Sequence, residues 1–268
     1  MLSLYRYDLK ISDRIIQKII DLLRETVIAD CLTIIDDSVN NFLHYYNSDH
    51  DESTKYFLVH ALKILDHLRA EETLPKILDI LEYDQEFIEF YFHKHLFDYS
   101  YSTLYQLGIN QKKLLSDFLL KQNIGINSKI VVLDVFKQYR LYKEMSKTAY
   151  HEFIEGLLDA IIAKHDDENF VDSDFNAFLI ADCVTFNLDD LLPKIKAIFE
   201  LKIVSKYICG NFKETKKMIV GNQKKSRKLE KQYLDTIFEF YEYNKFLDLE
   251  DSLSDEHLFI EDIDDTPV

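Results

Sequence analysis

The chain has 268 residues, 47 per cent of them apolar, enough to bury a substantial core and to exclude wholesale disorder. Five Gly and three Pro cannot supply the closely spaced turns of a sheet protein, so a mostly helical chain with short loops is expected. A formal charge of −16 argues against a general nucleic-acid binder, because neutralising phosphates needs a basic face.

In chain order, residues 12–28 read as a first helix, capped by Ser12 and carrying Ile15, Ile16, Ile19, Ile20, Leu22 and Leu23 at helical spacing. A second is predicted over 31–46, followed by a polar loop, Asn47 to Ser53. Ser53 or Thr54 then caps an amphipathic helix to Arg69, with Phe57, Leu58, Ala61, Leu62, Leu65 and Leu68 on its apolar face. The next helix begins at Thr73 with Pro75 in its first turn, where the missing N–H is not needed. Residues 85–107 read as a helix broken near Tyr99-Ser100, paired with a helix over 112–121. Residues 128–142 and 152–163 form the following pair, and Ser173 or Asp174 starts the first helix of the last one.

That last pair echoes the earlier one. Leu74-Pro75-Lys76-Ile77 recurs as Leu192-Pro193-Lys194-Ile195, 118 residues on, and Ile80 recurs as Ile198. The offset is three periods of about 39 residues, near the period of HEAT and armadillo repeats. Sliding by 118 also lays Leu62 over Ile180, Leu65 over Cys183 and Leu68 over Phe186, apolar on both sides. The expected fold is therefore all-α: a right-handed α-solenoid of HEAT-like helical pairs, an α-α superhelix. Residues 1–53 would be N-terminal capping helices, 54–205 about four helical pairs, 206–247 a basic helical extension and 248–268 an acidic, disordered tail. Stacking is required because one helical pair cannot bury its apolar stripe alone. Many of the 17 Tyr are expected at the edges of the shared core, hydroxyls toward water.

Ala61-Leu62, Leu74-Pro75-Lys76-Ile77, Leu191-Leu192-Pro193, Ile203-Val204 and Cys209-Gly210-Asn211-Phe212 follow one another in an order with a known parallel. Over roughly residues 54–220 the chain resembles a bacterial family of HEAT-like proteins, domain of unknown function 1186. The resemblance implies helical repeats and supplies no activity. Some relatives append a Cys/His metal-binding tail that has no counterpart in this sequence.

Motifs for chemistry are sparse. His93 and His95, with Asp98 nearby, sit two residues apart, a spacing that points helical side chains in different directions and does not chelate one ion. His165-Asp166-Asp167, with His60 or His67, would be needed for a phosphohydrolase-like metal site; a polar turn is the simpler reading. Asp36-Asp37 and Asp189-Asp190 are adjacent carboxylates that face apart, and Asp190 reads as a helix N-cap or a first-turn charge favoured by the helix dipole. No Gly-rich phosphate loop and no G-x-S-x-G elbow is present. Cys31, Cys183 and Cys209 show no CxxC spacing and predict free thiols in a reducing compartment. With neither a signal-peptide core nor a run of 18 apolar residues, a cytoplasmic protein is expected.

Charge is concentrated near the C-terminus. Residues 206–231 hold nine Lys or Arg against two Glu, and residues 248–265 hold nine Asp or Glu without a Lys or Arg. Lys213, Lys216, Lys217, Lys224, Lys225, Arg227 and Lys228 form a basic patch for a phosphate group or an acidic partner. The acidic tail could dock on a partner or fold back as an internal mimic of a ligand. The expected function is a non-enzymatic scaffold for a protein or peptide partner, without cofactor or metal. A nucleic-acid protein like the HEAT-like alkylpurine glycosylases is the alternative, disfavoured by an acidic body, and a metal-dependent hydrolase ranks below it.

Overall fold

The computed structural model describes residues 2–48, 55–222, 231, 232 and 234–245, and every regular element among them is helical. After a 3-10 turn at Leu2–Arg6 come α1 (Asp13–Ile20), α2 (Arg24–Asn40) and α3 (Phe42–Tyr46). The middle of the chain forms α4 (Phe57–His67), α5 (Leu74–Leu81), α6 (Gln85–Phe92), α7 (Leu96–Gly108), α8 (Lys112–Leu119) and α9 (Ile126–Tyr142). Then follow α10 (Lys147–Ala163), α11 (Ser173–Thr185), α12 (Leu192–Glu200), α13 (Lys206–Cys209) and α14 (Phe212–Asn222), and a last helix, α15, spans 237–245. Among the described residues no helix is long and apolar enough to cross a membrane.

The packing order follows the chain. Helices α2, α4, α7, α9 and α11 lie side by side in one row, and α13 and α14 close its C-terminal end against α11. The helices that follow them in each pair flank this row, with α5 against α2, α7 and α8, and α10 against α9 and α12. The core runs continuously between them, from Ile16 and Val27 through Leu62, Leu104 and Val132 to Ile180 and Ile198.

The 118-residue echo extends to backbone detail. Helix α4 ends with Arg69 at φ 49°, and α11 with Asn187 at φ 53°. The next N–H reaches back five residues in both places, Ala70 to the Leu65 carbonyl and Leu188 to the Cys183 carbonyl, each at 3.0 Å. This left-handed closure satisfies carbonyls that a helix end leaves open. A 3-10 turn follows in each copy, Glu71–Thr73 and Asp189–Leu191, and Pro75 and Pro193 then open α5 and α12. Ile77, Ile80, Ile195 and Ile198 all point into the core.

Several local expectations are corrected. The first helix does not continue to residue 28: it stops at Ile20, the chain turns, and Leu22 and Leu23 are exposed. Helix α2 instead starts at Arg24, and Asn41 rather than residue 46 ends it. The break expected near Tyr99-Ser100 falls at His93–His95, where His93 adopts φ 49°. Ser100 stays helical and donates its hydroxyl to the Leu96 carbonyl at 2.6 Å. Helix α11 starts at Ser173 as expected, and Asp172 caps it, accepting the Asp174 and Phe175 N–H groups at 2.9 Å. Ser53, Thr54 and the tail 248–268 lie outside the described residues.

The largest correction concerns the polar residues of the core. Tyr91, Tyr139, Tyr150 and Tyr241 are fully buried rather than at its edge. Each finds an acceptor inside, such as the Ser38 carbonyl for Tyr91 at 2.9 Å and the Tyr105 carbonyl for Tyr139 at 2.8 Å. Helix α4 is not amphipathic in its setting either: every residue from Phe57 to Leu65 is buried, His60 and Lys63 included. Its outward side is covered by the N-terminal turn and by α15, a contact that no local periodicity announces.

Candidate functional site

Of the basic patch, Lys213, Lys216 and Lys217 stand exposed on α14, whose inward side is held by Thr215 and Ile219. Lys224, Lys225, Arg227 and Lys228 lie outside the described residues. The other sequence candidates do not converge. His95 Nδ1 pairs with Asp98 at 3.1 Å, His165 Nδ1 meets the Ile162 carbonyl at 3.0 Å, and Asp36 pairs with Lys76 at 2.5 Å. Asp37 accepts the Tyr5 hydroxyl at 2.7 Å and the Tyr45 hydroxyl at 2.5 Å. Asp190 caps nothing: its carboxylate takes a ring nitrogen of His151 on α10, so it ties one pair to the next. Among the described residues no three His, Cys, Asp or Glu side chains are placed to hold a metal ion. The three cysteines are free and buried, and burial pushes the Cys31 thiol up to about 12.

Polar side chains do gather along the row of first helices. In α4 the Lys63 ammonium donates to the Asp98 carbonyl at 3.2 Å and the Ser102 hydroxyl at 3.0 Å, both on α7. Ser102 in turn donates to Asp66 at 2.8 Å, so lysine, serine and aspartate form a relay between two helices. Burial pulls the Lys63 pKa down to about 8, with Asp66, Asp235 and Asp98 opposing it. Burial likewise raises the Asp66 carboxyl, against the pull of Lys63 and the Ser102 hydrogen bond. His60, one turn earlier, is wholly buried and held near pKa 4 by desolvation. Its tautomer follows from its partners. The Tyr7 carbonyl at 3.1 Å can only accept, so Nε2 carries the proton and Nδ1 accepts the Tyr241 hydroxyl at 2.7 Å.

A second cluster continues the row on α9 and α11. Lys137 pairs with Asp134 at 2.9 Å and reaches Asp182 at 4.0 Å, and Tyr150 donates to Asp182 at 3.3 Å. Burial pushes the Asp182 carboxyl up to about 7, with Lys137 opposing and Asp134 reinforcing. Burial alone would lower the Lys137 ammonium, but Asp182 and Asp134 outweigh it and the net shift is upward. Asp134 Oδ2 and the Tyr101 hydroxyl are buried without a hydrogen-bond partner. Phe178, four residues before Asp182 and on the same side of α11, is exposed.

The row thus carries Lys63, Asp66, Ser102, Asp134, Lys137 and Asp182, none of which the sequence singled out. The signal was there in weak form: Lys63 interrupts Ala61-Leu62 and Ile64-Leu65, and Asp182 sits between Ala181 and Cys183. A charge inside an apolar helical run marks a buried, partnered group. No protein-family model, curated protein or solved structure matches the chain.

Proposed function

We propose that this chain is a non-enzymatic helical-repeat scaffold, a right-handed solenoid of HEAT-like pairs, whose row of first helices binds a segment of another protein. One observation carries the reading: ionisable groups are buried in consecutive helices of the row, Lys63 and Asp66 on α4, Lys137 on α9 and Asp182 on α11, with Ser102 of α7 bridging the first two. Burying charge is costly, and packing alone would be served at least as well by apolar residues of the same size. Such charges, with the unpartnered Tyr101 hydroxyl and Asp134 Oδ2 beside them, suit the recognition of a polar backbone and side chains. The carboxylates of Asp66, Asp98, Asp134 and Asp182 favour a protein partner over phosphates, in keeping with the acidic body of the chain.

Photo-crosslinking tests this. A benzoylphenylalanine at Phe178, on the same side of α11 as Asp182, is expected to capture a protein in extracts of the source cell. The same probe at Leu114, exposed on α8, is expected to capture none. Equal labelling from both positions, or adducts only with RNA from Phe178, would rule the reading out.

A further inference from the structure

Residues 231, 232 and 234–245 lie back across the helical row. The Gln232 N–H donates to Gln138 Oε1 on α9 at 3.0 Å, and the Tyr142 hydroxyl donates to the Gln232 carbonyl at 2.5 Å. Thr236 then caps α15 reciprocally with Glu239. The Thr236 N–H and hydroxyl donate to Glu239 Oε2 at 2.9 and 2.7 Å, and the Glu239 N–H returns to the Thr236 hydroxyl at 3.3 Å. Ile237, Phe240, Tyr241 and Asn244 are the buried residues of α15, at spacings i, i+3, i+4 and i+7. That is the anchor pattern of an amphipathic helix lying in a groove of another protein. Phe240 takes the Lys63 ammonium 4.3 Å above its ring, Tyr241 takes His60, and Lys245 reaches Asp13 of α1 at 3.0 Å.

One edge of the fit is open to water. A pocket of about 260 Å³ lies where α15 faces α7, bounded by Phe97, Tyr101 and Asp98 on one side and Phe240, the exposed Tyr243 and Asn244 on the other. Tyr101, 4 % exposed, lines it, and its hydroxyl lacks a partner. A nine-residue helix does not hold its shape alone in water, so undocking and unwinding go together and the groove opens in one step.

We infer that the groove between α4 and α7 is a docking site for an amphipathic helix of a partner protein, and that residues 235–245 are the chain's own occupant of it. The partner helix presents bulky apolar or aromatic residues where Ile237, Phe240 and Tyr241 now sit. At the place of Asn244 it carries a longer hydrogen-bond acceptor that fills the pocket and takes the Tyr101 hydroxyl. This rests on the scaffold reading and gives its partner a chemistry.

The test uses the full chain and a fluorescein-labelled peptide with the sequence of residues 232–247. Against the wild type the tethered segment competes at high local concentration; against Phe240→Ala/Tyr241→Ala it does not. The double variant is therefore expected to bind the peptide at least ~10²-fold more tightly. A peptide carrying Asn244→Gln is expected to bind it several-fold more tightly again, and that gain is expected to vanish when Tyr101→Phe is added. Equal affinity of wild type and double variant would overturn the proposal, and a glutamine peptide without gain would overturn the partner's stated chemistry. Amide exchange on the wild type covers a variant that does not fold. Protection of 237–245 is expected to be lost well before that of α7, and loss of both together would sink the proposal. A concentration-dependent dimer exchanging this segment would replace the partner by a second copy of the chain and so overturn it too. These failures leave the Phe178 crosslinking test of the α9–α11 half unaffected.

Discussion

Acid should weaken this fold through His60, by an amount the structure allows to be worked out. In the fold the ring is fully buried, donates to the Tyr7 carbonyl, accepts from Tyr241 and has its pKa held down to about 4. In the unfolded chain it returns to the ordinary value near 6.5. Between these values the unfolded state binds a proton that the native state refuses. Stability is thus intact above about pH 6.5 and is lost as the pH falls toward 4. At one pKa unit per ~1.4 kcal/mol, moving from pH 7.5 to 4.5 removes about 2–3 kcal/mol through this one group. Carboxylates titrate in the same range, so the effect is read as a difference. His60→Gln keeps a donor for Tyr7 and an acceptor for Tyr241 and carries no proton-dependent charge. Urea unfolding followed by circular dichroism is expected to show the wild type losing about 2–3 kcal/mol more than His60→Gln over that interval. Parallel stability curves for the two proteins would refute the reasoning.

Asp182 works in the opposite sense. Its carboxyl is raised to about 7, so stability is highest with the proton on and declines as the pH rises from the unfolded value through 7. Asp182→Asn should remove that decline, gaining on the wild type by a few kcal/mol between about pH 4 and 8 in the same urea assay. The glycines give a pair of predictions of opposite sign. A Cβ at Gly108 would lie 2.4 Å from Leu115 Cδ1 and 2.9 Å from the Tyr139 hydroxyl, so Gly108→Ala should cost about 1–3 kcal/mol. Gly156, inside α10, has open space around its Cβ position, and Gly156→Ala should stabilise by about 0.5–1 kcal/mol. Midpoints of thermal unfolding would decide both.

The sequence shows the 118-residue echo well and the covering of α4 poorly. The Leu-Pro-Lys-Ile echo marks a place where a left-handed residue, a 3-10 turn and a helix with an early proline follow one another, and the structure repeats all three. Arg69 and Asn187, the residues with positive φ, give themselves away less, because neither is glycine. Lys63 and His60 read as the polar side of an amphipathic helix and are buried instead. The segment that covers them lies 181 residues away in the case of Tyr241, and local periodicity carries no information about a contact at that distance. The same holds for the 206–247 stretch. Its composition announces basic charge, while it packs through a few apolar residues, Cys209 and Ile219 in α13 and α14 and Ile237, Phe240 and Tyr241 in α15.

That long return alters how the array holds together. Successive pairs are tied by surface bridges, Arg24 to Glu72 at 2.9 Å, Lys76 to Asp36 at 2.5 Å and Lys194 to Glu155 at 3.2 Å. All are partly exposed and screened by water, so they set register more than stability. Helices that touch mainly their neighbours in the row can open locally, without the whole fold. Residues 231–245 add contacts that skip units, reaching α9, α7, α4 and α1 in turn. Among the described residues these contacts tie α1, α4, α7 and α9 to one segment. A partner helix that displaces them gains the groove but removes this brace. Unless it spans the same helices, its affinity and the stability of the α1–α9 half are linked with opposite sign.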